Sequence, residues 1–247
     1  MIGILLVDDH AVVRAGYRAL LAKQADLQVV AEAADAAEAY RRYRQQPVDL
    51  VITDISLPGS SGLELVARLR QLQPDARILV FSMHQNPLFA EQALRAGALG
   101  YVTKSSPPEE LLRAVREVDA GRRVLSADIA QAMALEKLGD GNPALRNLTV
   151  REFEILRLLV AGNSVESIAA SLHISPKTVC NCHYLIKRKL GVGSDIEMTR
   201  LAIQWQVLDL AELAANNGEM PLSQTCWVAP VSMPGAGAKD GVGVPAS

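Results

Sequence analysis

Ile4-Leu5-Leu6-Val7-Asp8-Asp9 and Leu50-Val51-Ile52-Thr53-Asp54 are two short apolar runs that each end in acid. Runs of this length without alternation read as strands of a parallel sheet, buried on both faces. In a doubly wound sheet the carboxyl ends of neighbouring strands meet where the strand order reverses, and ligands bind there. As the first and third strands of such a sheet, the two runs bring three carboxylates into one pocket. Like charges that close are unfavourable unless a cation joins them, and hard oxygen ligands suit magnesium. A metal-bound aspartate can then take a phosphoryl group as a nucleophile.

Working outward, residues 1–120 alternate between strand and helix patterns. Strands are expected at Ile2–Val7, Gln28–Ala33, Leu50–Thr53, Arg77–Ser82 and Leu99–Thr103. Amphipathic stretches lie at 11–24, 36–45, 61–72 and 87–96, with a last helix near 107–119. Ser106-Pro107-Pro108-Glu109 opens that helix as N-cap, first-turn proline and acid. The alternation predicts an α/β unit with helices on both faces of a parallel sheet. Ser82 ends the fourth strand and Lys104 follows the fifth, so the polar strand ends share one edge. Lys104 would give a phosphoryl oxygen a cation, and Ser82 a hydroxyl donor. A structural Lys104–Asp54 ion pair without chemistry accounts for fewer of the five convergent positions.

The residues Asp8-Asp9, Asp54-Ile55-Ser56-Leu57-Pro58-Gly59, Ser82 and Gly100-Tyr101-Val102-Thr103-Lys104 resemble the receiver domain of two-component response regulators. The resemblance covers residues 1–120 and implies a flavodoxin-like, five-stranded parallel sheet of order 2-1-3-4-5. It further implies that Asp54 accepts phosphate from a sensor histidine kinase. Asp8, Asp9, Asp54 and the backbone carbonyl of Ser56 would hold Mg²⁺, and Lys104 would pair with the phosphoryl group. Ser82 would swing toward a phosphoryl oxygen while Tyr101 turns inward as a coupled switch. Such a receiver catalyses only its own phosphoryl transfer and dephosphorylation, so the chain is not expected to be an enzyme in the ordinary sense. Ser56 and His84 occupy positions that tune loss of the phosphoryl group in receivers, although His84 reads equally as an exposed loop imidazole. His10 is expected to start the first helix, and Arg14 to be a solvated helix residue. Ser105 stands where receivers often have proline.

Residues 121–147 read as a linker with a short helix, capped by Ser126 and running to about Leu138. Gly139-Asp140-Gly141-Asn142-Pro143 breaks it. Residues 148–213 hold only helical patterns. Thr149-Val150-Arg151-Glu152 is a capping box, with Leu148 placed to staple against Phe153. A second helix starts at Ser164, and a third follows the short turn His173-Ile174-Ser175 and runs to Leu190. A fourth, from Asp195 to Leu210, carries Met198, Leu201, Ala202, Trp205 and Leu208. The residues Leu148–Glu152, Gly162, Ile168-Ala169, Ile174–Val179 and Lys189-Leu190-Gly191-Val192 resemble the LuxR-type helix-turn-helix of the NarL/FixJ group. The four-helix unit is thus expected to bind promoter DNA.

On the third helix Val179, Cys182, Ile186 and Leu190 form an inner stripe. From Ser175 to Leu190 there are four basic residues and no acid. A helix with that face fits the major groove. Lys177, Lys187, Arg188 and the Thr178 hydroxyl would hold phosphates, while Asn181, Tyr184 and Cys180 would meet base edges. Cys180 departs from the family, which commonly has lysine or a polar residue there. It cannot bridge Cys182, because helix residues two apart point about 200° away from each other. The resemblance implies that the fourth helix pairs two copies, giving a homodimer when phosphorylated. RNA polymerase is a further expected partner.

The net charge of −2 excludes a global field for nucleic acid, so DNA binding must rest on a local patch. The three cysteines, Cys180, Cys182 and Cys226, point to a reducing compartment. With no apolar run of the roughly 18 residues needed for a span and no leader at the N-terminus, the expected place is the cytoplasm. Residues 214–247 read as a disordered Gly/Pro/Ala-rich tail. The expected function is that of a phosphorylation-activated transcription factor. Two other readings share parts of this pattern: a phosphorylation-independent regulator, and a relay protein without DNA binding. A haloacid-dehalogenase-like phosphatase would need both acids in one Asp-x-Asp loop, which the sequence lacks.

Overall fold

The computed structural model describes residues 1–138 and 143–207. Six parallel strands, β1 (Ile2–Val7), β2 (Leu27–Ala33), β3 (Leu50–Thr53), β4 (Ile78–Ser82), β5 (Gly100–Thr103) and β6 (Val124–Leu125), form one sheet. Their order is β2-β1-β3-β4-β5-β6. The first five follow the expected order. The sixth corrects the expected five-stranded sheet, since it comes from residues expected to be linker. Two residues are too short to show a strand period, yet Val124 pairs with Gly100 and Leu125 with Tyr101.

Five helices cover the sheet: α1 (Ala11–Ala22), α2 (Ala36–Gln45), α3 (Gly62–Leu72), α4 (Pro87–Ala96) and α5 (Pro108–Asp119). Alternate strand residues face opposite layers. Ile4, Leu6 and Ile52 pack with Leu21 of α1 and Val115 and Val118 of α5. Leu5, Val7 and Val51 pack with Ala39 of α2, Leu65 of α3 and Phe89 of α4. The expected Ser106 cap of α5 is not formed. Pro107 holds the N-cap position, and the Ser106 hydroxyl instead meets Thr103 Oγ1 at 2.9 Å.

Helix α6 (Ala127–Leu138) follows β6, and a four-residue helix α7 (Pro143–Arg146), absent from the sequence reading, precedes the C-terminal helices. These are α8 (Val150–Val160), α9 (Val165–Ser171), α10 (Pro176–Leu190) and α11 (Asp195–Gln204). The capping box at Thr149 and Glu152 is complete. Ser164 and Ser175 cap α9 and α10 through their side chains. Helix α11 ends at Gln204, with Trp205 as its C-cap, short of the expected Leu210. Leu208 and the rest of the expected helix from there on, residues 139–142 of the breaker, and the tail lie outside the described residues.

The helical unit is docked on the α3/α4 side of the receiver. Phe153 is fully buried and meets Phe89 edge to face at 5.2 Å between centroids. Around this contact Ser61 Oγ donates to Glu154 Oε1 at 2.7 Å, and Arg151 pairs with Glu64 at 3.0 Å. Arg146 pairs with Glu91 at 3.3 Å, and Asn86 Nδ2 donates to the Trp205 carbonyl at 2.6 Å. Phe153 thus belongs to an interdomain core.

Candidate functional site

The register of β1 against β3 places Val7 opposite Thr53, so Asp8 and Asp54 leave the sheet side by side. The Asp54 amide donates to the Val7 carbonyl at 3.0 Å, which holds the two loops together. Lys104 arrives from the end of β5, its amide bonded to the Ser82 carbonyl at 2.8 Å. Its ammonium donates to Asp8 Oδ2 at 2.6 Å and Asp54 Oδ2 at 2.5 Å. The three side chains are between 4% and 6% exposed. Burial pulls the Lys104 ammonium toward neutrality, but the Asp54 and Asp8 carboxylates outweigh it and hold its pKa above the ordinary value.

The other Asp54 oxygen accepts from the Ile55 amide at 2.6 Å. Helix α3 begins close behind, and Gly62 is required there. A Cβ at this position would lie 1.8 Å from the Asp54 carbonyl oxygen. Asp9 is more open at 32% side-chain exposure and meets His10 Nδ1 at 2.7 Å. One donor atom each from Asp8, Asp9 and His10 lie within 4.8 Å of one another. The carboxylate oxygens of this group are hard donors and fit a magnesium ion. Arg14 differs from the expected solvated residue. It is 18% exposed, donates to the Asp8 carbonyl at 2.5 Å and pairs with Glu32 at 3.1 Å. It thus anchors the loop that carries Asp8.

Ser82 and Tyr101 are fully buried. Burial drives the Tyr101 hydroxyl far above its ordinary pKa, against the lowering effect of a Ser82 hydrogen bond. That hydroxyl donates to the His84 carbonyl at 2.8 Å. His84 itself is half-buried rather than an exposed loop imidazole, with Nε2 3.2 Å from Ser56 Oγ.

On α10 the outward face carries Lys177, Thr178, Asn181, Tyr184 and Arg188, all exposed, with Cys180 and Lys187 partly exposed. Tyr184 is 63% exposed. Lys187 differs from a plain phosphate contact because it pairs with Asp195 at 3.1 Å. Lys189 is turned back onto Glu152 at 2.6 Å. The inner stripe is Val179, His183, Ile186 and Leu190, all buried. Cys182, expected in that stripe, is only partly buried against the core. His183 was missed by sequence reasoning, although its heptad spacing with Val179, Ile186 and Leu190 carried the signal. It is satisfied by Asp195 at 2.8 Å, which ties α10 to the start of α11.

The fold and the two sites define a receiver joined to a helix-turn-helix unit, and comparison with known proteins agrees. The response regulator receiver domain model matches residues 4–116, and the model of bacterial regulatory proteins of the luxR family matches residues 146–202. The chain is 38% identical to response regulator UvrY of Escherichia coli K12, over 83% of this chain and 94% of that protein. It is 41% identical to the transcriptional activator protein ExaE of Pseudomonas putida, over 85% of this chain and 99% of that protein. Among solved structures, RcsB of Salmonella enterica serovar Typhimurium, bound to a promoter with phosphomimetic BeF₃⁻, aligns with a TM-score of 0.66. That match has 26% identity and covers 87% of this chain and 98% of the RcsB chain. The chain belongs to the NarL/FixJ family of two-component response regulators, which bind DNA to regulate transcription. No helix among the described residues is long and apolar enough to cross a membrane.

Proposed function

We propose that the chain is switched by phosphorylation of Asp54 by a sensor histidine kinase, and that the switch controls how α10 engages double-stranded promoter DNA. The observation that carries this reading is the Lys104 ammonium bridging Asp8 and Asp54 at 2.6 and 2.5 Å. A buried cation already set between these carboxylates is placed to follow the charge when Asp54 gains phosphoryl oxygens. In that step one Asp54 oxygen forms the new bond to phosphorus as the kinase's phosphorus–nitrogen bond breaks.

Asp8, Asp9, Asp54 and the Ser56 carbonyl would hold Mg²⁺, which when bound offsets the charge of the carboxylates and the incoming phosphate. Lys104 pairs with the phosphoryl group, and the Ser82 hydroxyl donates to one of its oxygens. Tyr101, already turned inward, reports the change to the surface. The receiver then catalyses only its own phosphorylation and dephosphorylation.

On the DNA side Lys177, Arg188 and the Thr178 hydroxyl hold phosphates, with Lys187 contributing once it leaves Asp195. Asn181, Tyr184 and Cys180 meet base edges. Pairing of two chains when phosphorylated would place two such helices on two half-sites. Contact with RNA polymerase on the promoter, and a cytoplasmic location, complete the reading.

The test is binding to a fluorescent promoter library with and without beryllofluoride, in wild type and Asp54→Ala. Tightening by the analogue in wild type alone supports the reading. Equal binding throughout would leave a phosphorylation-independent regulator.

A further inference from the structure

His84 sits where three separate parts of the phosphoryl pocket meet. Its ring Nε2 lies 3.2 Å from the Ser56 hydroxyl, in the loop that follows Asp54. Its carbonyl accepts from the Tyr101 hydroxyl at 2.8 Å. Its amide reaches Ser82 Oγ at the longer distance of 3.5 Å. One residue is therefore held by the metal-loop serine and by both proposed switch residues.

The same imidazole also makes a ring contact on the next helix. It lies flat on Phe89, with centroids 4.1 Å apart and planes 2° from parallel. Phe89 in turn meets Phe153 of α8 edge to face at 5.2 Å. Phe89 and Phe153 are fully buried. Packed interiors are dense, so a ring that shifts must displace its neighbour rather than move into empty space. The path from Asp54 to the DNA-binding unit thus starts at the Ser56 amide, 3.4 Å from Asp54 Oδ1, and runs through the Ser56 hydroxyl, His84 and Phe89 to Phe153. The Arg151–Glu64 pair, by contrast, joins the domains through two residues outside the pocket.

We propose that His84 is the coupling residue between the Asp54 pocket and the DNA-binding unit. A change at the pocket moves its backbone through Tyr101 and Ser82 and its ring through Ser56. The stack on Phe89 passes that movement to Phe153 and to the seat of α8. This rests on the reading of Asp54 as phosphoacceptor. In this role His84 is a positioning residue that acts through its neighbours.

The experiment measures promoter-DNA affinity of the full chain with and without beryllofluoride, with pocket occupancy followed separately by fluorine NMR. His84→Gln keeps a polar group but removes the stacking ring. His84→Phe keeps the stack but removes the Ser56 contact. Phe153→Leu removes the far end, and circular dichroism confirms folding of each. Allosteric coupling typically amounts to about 5–150-fold in affinity, so wild type should respond at least about fivefold to beryllofluoride. Each variant should fall to within about twofold of no response while still binding the analogue. Reciprocity adds a second readout: DNA should tighten analogue binding in wild type and not in the variants. If His84→Gln and His84→Phe bind the analogue and respond as wild type does, the relay is overturned while the phosphorylation reading stands. If wild type itself binds no analogue, or Asp54→Ala responds equally, that reading falls and the relay with it.

Discussion

Ser61 and Glu154 lie 93 positions apart, yet the Ser61 hydroxyl donates to the Glu154 carboxyl at 2.7 Å across the domain boundary. The same hydroxyl accepts from the Leu63 amide at 3.0 Å and so caps α3. The first turn of α3, which leads from the Asp54 loop, is thereby tied to α8. Glu154 is 1% exposed, and its second oxygen has no hydrogen-bond partner among the described residues.

Burial drives the Glu154 carboxyl above its ordinary pKa, despite lowering by Arg157, Ser61 and Arg151, with Glu64 adding to the rise. An acid raised in the folded state takes up a proton there that the unfolded chain releases. Its contribution is complete below the ordinary value of 4.5 and is lost as pH rises through the raised folded value. Glu154→Gln keeps the shape and removes the titration. Thermal unfolding should therefore show the variant at least as stable as wild type at pH 8, with its advantage shrinking toward pH 4.5. A wild type that gains stability relative to Glu154→Gln as pH rises would contradict this.

Lys104→Met should expose the repulsion that the ammonium now offsets. Removing one partner of a buried ion pair typically costs about 3–5 kcal/mol. Urea melts should show a loss of that order at low magnesium, partly recovered at millimolar Mg²⁺. In wild type the raised Lys104 pKa gives a stability that is full below the ordinary 10.5 and is lost as pH rises beyond it. The variant should lack that alkaline loss.

Gly62→Ala should act on the pocket without changing a polar group. Its Cβ would meet the Asp54 carbonyl oxygen at 1.8 Å, so the turn between β3 and α3 must open. Overpacking of this kind costs about 1–3 kcal/mol. Denaturation should show that loss, and titration with beryllofluoride should show weaker binding. Retention of both would mean that the turn is more compliant than its geometry indicates.

The α10 face makes a salt-dependent prediction. Each phosphate neutralised on double-stranded DNA contributes a slope of about −0.9 in log affinity against log salt. Lys177→Ala and Arg188→Ala should each flatten the slope by about one unit. Lys187→Ala should flatten it less, because Lys187 pairs with Asp195 at 3.1 Å. Fluorescence anisotropy across salt concentrations separates these cases. Asn181→Ala should leave the slope nearly unchanged and alter preference among sequences.

The pocket was legible because each of its parts follows from a local pattern. Apolar runs ending in Asp8, Asp54 and Ser82, and Lys104 after the last, place their polar groups at one sheet edge once the strands are parallel. Likewise, the outward face of α10 follows from helical spacing. What stayed hidden depends on contacts between distant segments. No periodicity links Phe89 to Phe153 or Ser61 to Glu154. Arg14 sits at a helix position that reads as solvated, and only the folded loop shows its guanidinium reaching the Asp8 carbonyl at 2.5 Å. His84 read equally well as an exposed loop residue because the stack that buries it belongs to the next helix.

Strand β6 changes what the receiver is as a physical object. A piece ending at residue 120 would leave the amide and carbonyl groups of β5 facing water, and β5 carries Tyr101 and leads to Lys104. Bare edges of this kind template pairing with other chains. The intact chain covers that edge with Val124 and Leu125, while the Ser126 amide bonds to the Tyr101 carbonyl at 2.9 Å and Asp128 accepts from Thr103 at 2.7 Å. An isolated receiver cut before β6 should therefore self-associate through a sticky flank, and any dimer it forms would report the cut rather than the signal.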